Sequence, residues 1–123
     1  MKKRILFVDD EVILTRMIKL NLEKIGKYEI ETENHGANAI NVIKRFKPDL
    51  VFLDVMMPDM TGDEIAAQLL EDPELSSIKY IFMTAIVTKD ETESMGNNIG
   101  GRQFIAKPVK INELIEIIDK NTE

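Results

Sequence analysis

Cysteine is absent from the 123 residues. Disulfides and thiolate metal sites are therefore ruled out, and an ion held by hard oxygen ligands is the remaining metal chemistry. The absence fits a reducing compartment. Histidine occurs once, as His35 in the polar stretch ENHGAN, and reads as a loop residue rather than a ligand or a carrier of phosphate. Long apolar runs are missing too. None approaches the roughly 20 residues that span a bilayer, and Asp9 and Asp10 interrupt the first apolar stretch before a signal sequence could form. The expectation is a cytoplasmic protein that does not insert into membranes. Basic residues are in the minority, 16 Lys+Arg against 22 Asp+Glu for a formal charge of -6, which disfavours direct binding to nucleic acid. Neither G-x-x-x-x-G-K nor G-x-G-x-x-G occurs, so a nucleotide-binding phosphate loop is excluded.

What is present is an alternation. Ile5 to Val8, Leu50 to Leu53 and Tyr80 to Met83 are near-continuous apolar runs, with a shorter one at Phe104 to Ala106, the pattern of strands buried on both faces of a parallel sheet. Tyr28, Ile30 and Thr32 alternate with Glu29, Glu31 and Glu33, predicting an edge strand with one wet face. Helical stripes lie between: Leu14, Met17, Ile18, Leu22 and Ile25; Ala39, Ile40 and Ile43; Ile65, Ala66, Leu69 and Leu70; and Ile111, Leu114, Ile115 and Ile118. Thr61 with Glu64, and Thr88 with Glu91, have capping-box spacing. Lys89 to Gly101 is read as the weakest helix. The chain predicts one α/β domain over residues 1–123, a doubly wound, five-stranded parallel sheet with five flanking helices.

The residues that follow the buried strands carry the chemistry. Asp9-Asp10, Asp54, Thr84 and Lys107 each end an apolar run, and in an open parallel sheet such ends converge on one pocket. Carboxylates brought together repel unless a cation joins them, and oxygen donors of this kind suit Mg2+. Lys107 and the Thr84 hydroxyl would hold oxygens of a phosphoryl group, and Asp54 is a candidate nucleophile for phosphoryl transfer. Met56, Met57 and Met60 suggest gap fillers rather than a soft-metal site.

With Asp9-Asp10, LDVMMPDMTG around Asp54, Thr84-Ala85 and Lys107-Pro108 in this order, the whole chain resembles the receiver domain of two-component response regulators. Its length is like that of stand-alone chemotaxis regulators and phosphorelay intermediates. The resemblance implies a flavodoxin-like strand order of 2-1-3-4-5. It makes Asp54 the phosphoacceptor for a histidine kinase or histidine phosphotransfer protein. Asp10, Asp54 and the Met56 carbonyl become Mg2+ ligands, with Asp9 acting through a water. Lys107 pairs with the phosphoryl group ahead of a cis bond to Pro108, while Thr84 and Phe104 act as switch residues. Met56 and Ile86 flank the path of a hydrolytic water. Pro58 and Gly62 shape the loop into the third helix. Output would pass through the fourth helix, fifth strand and fifth helix to a downstream protein, from a monomer or weak dimer. Two departures stand out: Phe104 replaces a common tyrosine, and Gly100-Gly101 replaces a common Gly-Ala. The rival reading is a receiver-like docking module that is never phosphorylated. A haloacid-dehalogenase-type phosphatase would need a second Asp where Met56 stands.

Overall fold

The structure is a computed structural model that describes residues 2–85, 98–99 and 102–122. The element order is β1 (Lys3–Val8), α1 (Val12–Glu23), β2 (Tyr28–Glu33), a 3-10 turn (Gly36–Asn38), α2 (Ala39–Phe46), β3 (Leu50–Asp54), α3 (Gly62–Glu71), β4 (Lys79–Thr84), β5 (Asn98–Ile99), β6 (Arg102–Ala106) and α4 (Ile111–Asn121). Helix α4 is the fifth helix of the sequence reading. The fourth, with the Thr88–Glu91 capping box and Ile86, lies outside the described residues, apart from Asn98 and Ile99.

The sheet runs β2-β1-β3-β4-β6-β5. Its five long strands are parallel and occupy the expected order 2-1-3-4-5. One addition was not foreseen. Asn98 and Ile99 form a short strand antiparallel to β6, where the polar sequence reads as the tail of a weak helix; two residues are too few to carry a periodicity.

Strand parity builds two cores. Ile5, Phe7, Leu50, Phe52, Ile81 and Met83 face α1 and α4, while Leu6, Val8, Val51, Leu53 and Phe82 face α2 and α3. The Phe7 and Phe52 rings stack across β1 and β3 with centroids 4.7 Å apart. Edge strand β2 behaves as its alternation implies: Tyr28 and Ile30 are buried, whereas Glu29 and Glu31 reach Arg4 and Arg45.

Two helical stripes need correction. On α1 the buried residues are Thr15, Ile18 and Leu22, with Leu14 packed against that core, while Met17 and Ile25 stand exposed. Apolar residues occur on every side of this helix, so spacing alone does not choose its inner face. Thr15 is admitted because its hydroxyl donates to the Val12 carbonyl at 3.1 Å, which satisfies it in the interior. Leu70 on α3 is likewise exposed. The Thr61–Glu64 capping box forms as expected.

Candidate functional site

Sheet order reverses between β1 and β3, and the acids sit there. Val8 pairs with Leu53 in parallel register, so Asp9 and Asp54 continue two neighbouring strands at the same level. Asp54 pairs with Met83, and Thr84 with Ala106, so Thr84 and Lys107 arrive at that edge too. The pocket, about 460 Å³, is lined by Asp10, Glu11, Asp54, Met56, Ala85 and Lys107. Asp9, Asp54 and Thr84 are buried, and Asp10 is exposed.

Each acid is placed by backbone. The Asp9 amide donates to the Glu33 carbonyl of the edge strand at 3.0 Å, and its carboxylate accepts from the Glu11 amide at 2.9 Å. Asn34 donates to the Asp9 carbonyl at 2.7 Å and to the Thr15 hydroxyl at 3.0 Å, which ties the end of β2 to the start of α1. The Met56 amide donates to Asp54 Oδ1 at 3.3 Å. Gly62 packs directly beneath, and a Cβ there would meet the Asp54 carbonyl oxygen at 2.6 Å. Pro58 is exposed in the intervening loop. Asp59 clamps that loop to the 3-10 turn by accepting from the Gly36 and Ala37 amides at 3.2 and 3.0 Å. The Ala37 amide foremost, then Gly36, holds its carboxyl below the usual range.

Charge sets the character of the pocket. Lys107 Nζ lies 2.8 Å from Asp9, 2.7 Å from Glu11 and 3.4 Å from Asp54. Burial alone would lower its pKa, but hydrogen bonds to Asp9 and Glu11 and the charges of Asp9 and Asp54 outweigh this and raise it. Asp54 is pushed up to about 7, first by burial and next by the Asp9 charge, against the lowering influence of Lys107 and the Met56 amide. Three carboxylates thus crowd one ammonium. Oxygens of Asp9, Asp10 and Asp54 come within 4.8 Å of one another. Asp9 Oδ2 is buried against Lys107 at 2.8 Å, and a carboxylate oxygen with one such contact keeps a lone pair for a cation. This donor set is all oxygen, with Asp10 open to solvent, and it fits a hard divalent cation such as Mg2+.

The remaining predicted residues fall around this centre. Lys107–Pro108 is a cis peptide, and the Lys107 amide donates to the Thr84 carbonyl at 2.9 Å. Phe104 is half-buried on the α2/α3 side of the sheet, its ring 5.3 Å from that of Phe82. Met56 is 63% exposed at the pocket mouth, Met57 is buried in the core, and His35 is an exposed loop residue. Sequence reasoning missed Glu11, Asn34 and Asp59. The acid run DDE at residues 9–11 was the one available signal for Glu11.

Residues 5–119 match the response regulator receiver domain. The chain belongs to this family. This receiver domain is 38% identical over 120 residues to protein PilH of Pseudomonas aeruginosa, covering 94% of each chain. It is 30% identical over 118 residues to the polar-differentiation response regulator DivK of Brucella anthropi, covering 96% of this chain and 94% of that one. Its structure resembles the CheY-like receiver domain protein of Methanospirillum hungatei with a TM-score of 0.79 at 28% identity, over 99% of this chain and 94% of that one. The family is one of signalling proteins rather than of enzymes with an external substrate. Among the described residues no helix is long and apolar enough to cross a membrane.

Proposed function

We propose that this receiver domain is a phosphorylation-driven switch in the cytoplasm, taking a phosphoryl group onto Asp54 from a phosphohistidine of a kinase or phosphotransfer protein. The observation that carries the reading is the convergence of Asp9, Asp10, Asp54 and Lys107 on one pocket at the strand ends. An Asp54 oxygen attacks phosphorus, the bond from phosphorus to the imidazole nitrogen breaks, and that nitrogen takes a proton from solvent. Burial and the Asp9 charge raise the pKa of Asp54, which works against the carboxylate form that must attack. Asp10, Asp54 and the Met56 carbonyl would hold Mg2+, with Asp9 acting through a water, and the ion would supply positive charge that favours the Asp54 carboxylate and screens the phosphoryl oxygens. The Met56 amide fixes the rotation of the attacking carboxylate, and Lys107 neutralises charge on the transferred group.

A protein donor is supported by the pocket's surroundings. Val12, Ile13, Met17 and Leu20 are exposed on α1, and a cavity of about 610 Å³ there shares Glu11 with the acidic pocket. Thr84 follows the phosphoryl group inward and Phe104 takes up the space, which remodels the surface around β6 and α4 and changes binding to a downstream protein. Incubation with acetyl phosphate and Mg2+ is expected to add about 80 Da, one phosphoryl group, and Asp54→Asn is expected to abolish the gain. Absence of any gain in the parent protein would leave docking without phosphorylation as the function.

A further inference from the structure

Glu11 is the one pocket carboxylate with no part in the proposed metal set, yet it makes the shortest contact to Lys107, 2.7 Å across 96 positions of sequence. The geometry explains how it is free to do so. Its backbone amide is anchored on Asp9 Oδ1, and although it occupies the N-cap position of α1 its side chain makes no capping bond. The carboxylate is committed to the lysine. An ammonium has three donors, and here three carboxylates face them, at 2.7, 2.8 and 3.4 Å. A phosphoryl oxygen that is to be held by Lys107 must displace one of them. Asp9 is fully buried, and Asp54 is the accepting group itself. The Glu11 side chain is 58% exposed, so its carboxylate can turn into water at little solvation cost. Lys107 is 12% exposed and has no comparable freedom.

We propose that Glu11 is a positioning residue that acts through Lys107, the resting partner which an incoming phosphoryl group displaces, so that it sets how readily the site takes and keeps that group. The inference rests on the phosphoacceptor reading above. Glu11→Gln keeps the length but offers a neutral acceptor, about half as strong toward an ammonium. Glu11→Asp keeps the charge but is one methylene short of the contact. If contact with Lys107 is what matters, both variants release the lysine. If general negative charge at the mouth is what matters, only the glutamine variant differs.

The test uses beryllium fluoride with Mg2+ as a phosphoryl mimic, acetyl phosphate as donor, and the Lys107 ammonium signal in 15N-labelled protein. Both variants are expected to bind beryllium fluoride and take phosphate about two- to fivefold better than the parent, the range open to an ion pair with one exposed partner. The Lys107 signal should shift in both before any ligand is added. Unchanged or weaker binding in the glutamine variant overturns the proposal, as does an aspartate variant that matches the parent. A parent protein that takes neither probe instead removes the phosphoacceptor reading, and this inference falls with it.

Discussion

Removing the charge of Asp54 is expected to stabilise the metal-free protein, although the side chain lies at the centre of the site. In the unfolded chain an aspartate ionises near its ordinary value of 3.8, whereas in the fold Asp54 keeps its proton up to about 7. Between those values the native state binds more protons than the unfolded one, so this group's contribution falls as pH rises through the window and levels off above it. About three pKa units at about 1.4 kcal/mol each set a ceiling of roughly 4 kcal/mol. Water in the open pocket screens the repulsion and brings the expected penalty to about 2 kcal/mol above pH 7. For a chain of this size that amounts to roughly 5–10 °C in Tm. The assay is thermal unfolding of the parent and of Asp54→Asn in EDTA at steps from pH 4 to 8. Titrating groups remote from Asp54 are common to both proteins and cancel in the difference, whereas Asp9 and Lys107, which face it, belong to the effect measured. The asparagine variant should match the parent near pH 4 and exceed it increasingly up to pH 7. Mg2+ should narrow the gap at pH 8 by stabilising the parent. A gap independent of pH, or an asparagine variant less stable than the parent at pH 8, would refute the account of Asp54 as an acid strained by burial and by Asp9.

Thr84→Ala is expected to take phosphate at Asp54 yet to leave hydrogen exchange around Phe104 and β6 within about twofold of the unphosphorylated protein; full exchange changes would separate the threonine from the switch. Met56 stands exposed at the mouth and offers no hydrogen bond to an attacking water, so Met56→Asn is expected to shorten the lifetime of the phosphorylated form by about tenfold, the equivalent of roughly 1.4 kcal/mol of transition-state stabilisation. An unchanged decay rate at saturating Mg2+ would show that this side chain does not govern hydrolysis. Gly62→Ala would drive a methyl group to 2.6 Å from the Asp54 carbonyl, with an expected loss of about 1–3 kcal/mol in denaturant unfolding together with weaker Mg2+ binding. Stability equal to the parent would mean that α3 is free to shift.

The elements that the sequence announced are those whose burial is uniform. β3 and the inner stretches of β1 and β4, from Ile5 and Ile81 onward, lie inside on both faces, so their side chains are apolar until the polar residue that ends each run. The Thr61 cap was equally visible, because its partner Glu64 is three residues away and the bond is local. The face of α1 was not, since Ile13 and Leu20 are as apolar as Ile18 and Leu22 and only the packed sheet decides which pair is covered. Glu11 was hidden for a different reason. Its partner Lys107 stands at the other end of the chain, and a residue whose importance comes from a distant neighbour shows locally as no more than one member of a charge run. Asn34 and Asp59 belong to the same class, holding backbone groups of segments far from their own.

The common level of the strand ends also governs how the chain can change in length. Val8 opposite Leu53, Asp54 opposite Met83 and Thr84 opposite Ala106 form one continuous ladder, in which a strand advances about 3.3 Å per residue and each step reverses the facing of a side chain. A single deletion inside β1, β3 or β4 would withdraw its polar end group from the pocket and turn the strand's core residues toward the wrong helices. The connections at the opposite edge, residues 24–27, 47–49 and 72–78, are under no such rule. Insertions and deletions accumulated over descent should therefore collect there, at the end of the molecule remote from Asp54.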